Sequence, residues 1–245
     1  MTNFVGASAL SVLIAAVVAV CSPTTATAEG GDDILAEAGD AADLTEGSRR
    51  SGDPAQDFDE DDHHRSGDWR TVMMADDAER IANLDSAWRE GLAEARASED
   101  GAEVAALGAL VDPDAALTGR LQPPPGQYRC RSIRFGTQSG IGLSYIAYPF
   151  FRCSVELTAG GDLVLTKITG SQRTRGLLYP DGDLNRLVYI GAQSWGDSEP
   201  GYFEYGELPE RNHVGVLERI GAQRWRLVIP WPRQESKLEI IELVR

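Results

Sequence analysis

The side chains that could perform hydrolysis are sparse in this chain. Beyond residue 64 the single histidine is His213, so any Ser-His-Asp arrangement in that part must use it. Ser139, Ser144, Ser171, Ser194 and Ser236 all lack the Gly-x-Ser-x-Gly turn that presents a nucleophile at the end of a strand. His213 reads instead as a surface histidine near a strand start. One histidine and two cysteines placed to pair do not make an ordinary zinc site, and no metal or other cofactor is expected. Asp181-Gly182-Asp183-Leu184-Asn185 begins like a calcium loop with oxygen ligands at alternate positions. Arg186 then stands where the loop needs glycine and Ala192 where it needs a bidentate glutamate, so a hairpin turn explains the segment better. The acidic run Asp57 to Asp62 followed by His63 and His64 has no second ligand set and reads as a solvated charge run.

The most donor-rich connection is Gly170-Ser171-Gln172-Arg173-Thr174-Arg175. At the rim of a barrel, Arg173 and Arg175, with Ser171 and Gln172 beside them, could orient a small anionic ligand. Asp197, Glu199 and Glu204 lie in the longest later loop. A non-enzymatic binding protein for a small ligand or an envelope partner is the leading expectation, with a hydrolase of unrecognised active site as the alternative.

The elements that would position these groups change character along the chain. Ala7 to Val20 is an apolar stretch before Ala26-Thr27-Ala28, a small-x-small pattern suited to signal peptidase. Residues 1–28 therefore read as a secretory signal, with a periplasmic or secreted address. The stretch is too short for a bilayer span, so none is expected once the signal is removed. Anchoring through Cys21, after Val18-Ala19-Val20, is the alternative address. The formal charge of −15 lies beyond this segment, and residues 29–64 alone carry thirteen acids against two arginines. Residues 29–67 read as a disordered acidic linker, since they have too little apolar surface to repay their ordering entropy. The remainder is nearly balanced and offers no basic stripe for a phosphate backbone, so nucleic acid is not an expected partner. Arg129, Arg131 and Arg134 read as a solvated outer strand face.

Residues 68–245 are expected to form one α+β domain, helical over 68–122 and β over 126–245. From Asp76 to about Ala97, Ile81, Leu84, Trp88 and Leu92 recur at steps of three and four, one stripe of an amphipathic helix. Shorter helical pieces are expected at Glu103–Val111 and near Ala115–Leu121, and the triple proline 123–125 stiffens the connection to the strands. After Gly126 the period falls to two. Strands are expected at Gln127–Arg134, Phe150–Thr158, Leu163–Thr169, Arg175–Tyr179, Arg186–Ile190, Tyr202–Tyr205, Val214–Ile220, Arg224–Ile229 and Lys237–Val244. That series describes an antiparallel meander of about 8–9 strands, closed as a barrel or folded as a sandwich, with the N-terminal helices packed on it as cover. Alternation puts Cys130 on one face with Tyr128, and Cys153 on one face with Phe151 and Val155, so both cysteines face inward and are placed to form a disulfide.

The segments Gly126-Gln127-Tyr128-Arg129-Cys130-Arg131, Phe151-Arg152-Cys153, Gly170-Ser171-Gln172-Arg173 and Arg224-Trp225-Arg226-Leu227-Val228-Ile229-Pro230 together resemble domain-of-unknown-function family 4893, exported proteins of alphaproteobacterial type. The likeness runs from about Asp68 to Arg245. It implies a periplasmic address and a shared fold rather than an activity. Gly126 followed by Tyr128 is also similar, more loosely, to the first strand of calycin barrels.

Overall fold

A computed structural model describes residues 67–182, 185–196, 199 and 201–245. Residues 1–28, read above as a signal, Cys21, the expected acidic linker up to residue 66, and Asp57 to His64 lie outside the described residues. Among the described residues four α-helices precede the strands: α1 (Trp69–Val72), α2 (Ala75–Ala82), α3 (Leu84–Ala97) and α4 (Gly101–Ala106). The strands are β1 (Gly126–Phe135), β2 (Tyr145–Ala147), β3 (Phe151–Leu157), β4 (Leu163–Lys167), β5 (Gln172–Pro180), β6 (Leu187–Trp195), β7 (Asn212–Gly221), β8 (Arg224–Pro230) and β9 (Leu238–Val244).

All neighbouring strands are antiparallel, and β9 returns to pair with β1 from Arg129↔Val244 to Phe135↔Leu238. This pairing closes an eight-stranded barrel of β1 and β3 to β9, resolving barrel against sandwich. The extra strand β2 shares one edge of β1 with β3: Gly126 to Cys130 face β3, and Ile133 to Phe135 face β2. The sequence did not foretell β2, which is three residues long and flanked by glycine and proline. Tyr202–Tyr205, expected as a strand, lies instead in a turn-rich connection that ends in a 3-10 turn at Pro209–Arg211. The segment forms no sheet pairing; the glutamate side chain of Glu207 takes the Glu204 amide in a local turn.

The long amphipathic stripe is divided between two helices. Asn83 leaves the helical conformation and its side-chain amide donates to the Glu79 carbonyl at 2.9 Å, closing α2 before α3 begins. Ile81, Leu84, Trp88 and Leu92 are buried as the stripe predicts. α2 lies against β7, and α3 against β1, β8 and β9. Gly91 permits the close approach of α3, since a Cβ there would sit 2.9 Å from the Leu238 Cβ and 3.1 Å from the Phe135 carbonyl oxygen.

Alternation along each strand separates two cores. Inside the barrel lie Tyr128, Val155, Leu165, Tyr189, Trp225 and Leu227, while Ile133, Phe135, Val188, Val216, Val228 and Ile240 point outward to the helices. Cys130 and Cys153 are bonded inside the barrel with Cα atoms 5.8 Å apart. The bridge runs diagonally, because Cys130 stands opposite Phe151 and Cys153 opposite Tyr128. Residues 116–125 cross the end of the barrel near this bridge. There the Trp225 Nε1 donates to Leu121 O at 2.8 Å and the Tyr128 hydroxyl to Pro124 O at 2.6 Å.

Arg226 joins the two layers. Fully buried on the outer side of β8, it donates to Glu218 at 2.7 Å and to the carbonyls of Ala109, Leu110, Asp112 and Pro113 at 2.6–3.2 Å. Its guanidinium also lies over the Trp88 ring, 4.9 Å from the centroid.

Two stability changes are expected. Trp88→Ala should cost about 3–5 kcal/mol and lower the midpoint of one cooperative transition, followed by circular dichroism in denaturant. Reducing the Cys130–Cys153 bond should add two hydrogens to the intact mass and cost roughly 3 kcal/mol by the chain-entropy model.

Candidate functional site

Among the described residues α2 and α3 lie over β1, β7, β8 and β9, and the neighbouring sector of the barrel wall has a groove in it. On the outer side of β4, β5 and β6, Val164, Leu177, Tyr179 and Ile190 form an apolar floor, and α1 and the connection around Tyr205 border it. Between them is a groove of about 390 Å³. Arg175 stands at its rim and meets Glu204 at 3.1 Å, with the Arg175 side chain 40 % and the Glu204 side chain 78 % exposed. An exposed pair of this kind is weak and exchangeable. The opposite border is rigid, because the Tyr205 hydroxyl accepts from the Met74 amide at 2.8 Å and donates to Asp77 at 2.6 Å. Burial and the neighbouring Asp77 carboxylate push the Tyr205 hydroxyl pKa up. Asp77 also accepts from Arg80, from Arg233 at 2.9 Å and from Asn212 at 2.7 Å. Burial alone would raise its pKa, but the bonds from Tyr205, Arg80 and Asn212 outweigh it and hold the carboxyl low.

A second cluster fills one end of the barrel from within. Arg134, Lys167, Gln172, Thr174, Gln193, His213 and Glu239 continue the inward rows of their strands. His213 is 3 % exposed, correcting the expectation of a surface histidine. It begins β7 on the inward parity, where Nδ1 lies 2.9 Å from the Thr174 hydroxyl and Nε2 3.5 Å from Glu239. The Thr174 hydroxyl also meets the Tyr189 hydroxyl at 2.6 Å and the Ala192 carbonyl at 3.2 Å. Tyr189 gains the room for this reach from Gly191, where a Cβ would lie 2.6 Å from the phenolic oxygen. Arg134 likewise corrects the expectation of an outer arginine face: it is 5 % exposed, with Gln172 and Glu235 as partners. The parity of Arg134 is that of Cys130, not that of Arg129 and Arg131.

Burial would raise the Glu239 pKa, but the bond and charge of His213 and the charge of Arg134 prevail and bring it to about 2. Burial lowers Lys167 to about 8, against the opposing pull of Glu239. Thr174, His213 and Glu239 have the order of a nucleophile, base and acid. The hydroxyl is already engaged on three sides, and Thr174 is only 2 % exposed. A scissile carbonyl has no place against this hydroxyl.

Of the residues expected to bind a ligand, Gln172 points into this inner cluster, and its carbonyl accepts from Lys167 at 2.5 Å. Arg173 and Arg175 take the opposite face. Arg173 donates to Gly196 O at 2.8 Å and lies over the Tyr202 ring, while Arg175 alone of the four borders the wall groove. The Ser171 carbonyl accepts from the Gly196 amide at 2.6 Å. Asp181 is tied by Trp69 Nε1 at 2.8 Å and by Arg186 at 2.7 Å. Among the described residues no group of three or more His, Cys, Asp or Glu is placed to hold a metal ion, and no helix is long and apolar enough to cross a membrane.

A closed eight-stranded antiparallel meander with a helical layer on part of its outer wall defines a calycin-like barrel. The chain belongs to the family described as domain of unknown function (DUF4893), whose model matches residues 69–243. No curated protein and no solved structure matches the chain.

The depressed Glu239 pKa fixes the sign of its linkage to stability. A carboxyl that ionises more readily when folded contributes stability above its unfolded value near 4.5, and loses it as the pH falls toward about 2. Glu239→Gln should therefore flatten the acid limb of a stability–pH curve in that window, read by urea midpoints at each pH.

Proposed function

We propose that this protein is an exported, non-enzymatic barrel that binds a small amphipathic anion in the groove on the outer side of β4, β5 and β6. The observation that carries the reading is the groove itself, with an apolar floor of Val164, Leu177, Tyr179 and Ile190 between α1 and the Tyr205 connection and with Arg175 at its border. A concave site of about 390 Å³ lies in the range of small-molecule pockets. A stable protein partner would need roughly 800 Å² from each side. The ligand's apolar part would lie on the floor, and its anionic group would take the place of Glu204 at Arg175. The apolar stretch from Ala7 to Val20 and the Cys130–Cys153 bond support export, because such bonds persist in oxidising compartments. The burial of Thr174 and the three contacts that already engage its hydroxyl count against the hydrolase alternative.

Isothermal titration with alkyl carboxylates and the matching alcohols tests this reading. The carboxylate should bind about tenfold more tightly than the alcohol, a difference near 1.4 kcal/mol. Arg175→Gln should remove that preference, and Leu177→Arg should abolish binding of both. A second opening of about 320 Å³, floored by Leu163, Leu178 and Leu187 beside the triple proline, supplies the control. Binding that survives Leu177→Arg but is lost on Leu157→Arg would move the site there and refute the groove.

A further inference from the structure

The connection from β1 to β2 ends in an apolar tip that stands clear of the barrel and the helices. Ile141 and Leu143, in the run Gly140-Ile141-Gly142-Leu143, are 83 % and 67 % exposed, above every other large apolar side chain among the described residues. Gly140 and Gly142 adopt φ of 70° and 113°, a backbone path that suits glycine and brackets Ile141. No charged residue stands between Arg134 and Arg152, although charged residues make up 25 % of the chain.

The neck of the loop is firmly held. Glu94 on α3 accepts from the Thr137 amide at 3.0 Å, the Thr137 hydroxyl at 2.9 Å and the Ser144 hydroxyl at 3.1 Å. The Gly136 amide donates to Ser144 O at 2.8 Å, the Gln138 amide to Glu235 O at 3.1 Å, and the Gln138 side chain to Ser236 O at 2.9 Å. The charges at the neck are paired as well: Glu94 meets Lys237 at 3.0 Å, and Glu235 meets Arg134.

Two apolar side chains on such a stalk cover far less than the roughly 800 Å² that a stable protein partner or a second copy would need. A lipid bilayer sets no such minimum, since each apolar side chain entering the boundary between headgroups and acyl chains contributes by transfer alone. That boundary demands instead that backbone polar groups find partners within the protein. Ile141 meets this condition: the Ser139 hydroxyl donates to its carbonyl and accepts from its amide, both at 3.3 Å. With the neck charges balanced, the tip brings no charge that would have to leave water.

We propose that the 137–144 loop is an interfacial anchor that inserts Ile141 and Leu143 into the surface of a lipid bilayer. The loop enters without spanning, and the contact is separate from the wall groove.

The test uses the full chain with Cys21→Ser, so that Leu143→Cys supplies the one free thiol beside the intact Cys130–Cys153 bond. An environment-sensitive fluorophore on that thiol should shift to the blue on phosphatidylcholine vesicles and be quenched by lipids carrying a nitroxide high on the acyl chain. The same label at Leu117→Cys, exposed on the segment that crosses the opposite end of the barrel, should not respond. High salt should leave the change intact, because no ionic attraction drives it. Adding Ile141→Ser should raise the lipid concentration at half of the change about tenfold. Attachment through the apolar stretch from Ala7 to Val20 alone would leave the label at position 143 in water and overturn the proposal. A change confined to anionic vesicles and lost in salt would overturn it too, as would a blue shift that follows protein concentration without lipid.

Discussion

Arg226 is the contact on which the arrangement of the two layers depends. A guanidinium withdrawn completely from water must have its donors satisfied, and here four carbonyls from the helical segment and one carboxylate on the neighbouring strand do so. Those carbonyls belong to the end of the 3-10 turn at Gly108–Val111 and the chain just after it, positions that run out of helical partners. The barrel therefore caps the helical segment, and the cap fixes where that segment lies on the barrel. Trp88 packs over the same guanidinium, so apolar cover and polar anchor meet at one side chain.

Fixing the helices over β1, β7, β8 and β9 leaves β4, β5 and β6 with a different outer environment. Close approach of β5 and β6 adds to the contrast. Gly176 and Gly191 stand opposite each other, and a Cβ on either would fall within 2.4 Å of a carbonyl oxygen on the adjacent strand. Only glycine allows the strands to fold this tightly. The interior is graded in turn, with leucine, tryptophan and the disulfide toward one end and charged, paired groups toward the other.

Much of this was legible because alternation is a short-range signal. The inward positions of Cys130 and Cys153, the burial of Trp88 and the antiparallel meander follow from residue periods of two and of about 3.6, whereas closure as a barrel rather than a sandwich rests on the remote pairing of β1 with β9. The same parity placed Arg134 inside with Cys130, and His213 with Leu217. It was overridden by the general rule that charged and ionisable side chains face water. That rule fails only when a buried group has partners, and these partners are remote in sequence: Gln172 for Arg134, and Thr174 and Glu239 for His213. The wall groove was unreadable for another reason. It depends on how far a layer of helices extends across a curved sheet, and no local pattern encodes that distance.

The pairing of β1 with β9 has a consequence for the order of events during folding. Arg129 meets Val244 and Phe135 meets Leu238, so the first barrel strand finds one of its neighbours only after more than a hundred intervening residues have been synthesised. Until then the sheet has two open edges and a curved, half-exposed inner face. Contacts so distant along the chain demand a large loop-closure entropy before they return any stabilisation, which makes closure slow compared with hairpin formation. The early strands must therefore wait, and the bond between Cys130 and Cys153 can hold β1 to β3 while they do.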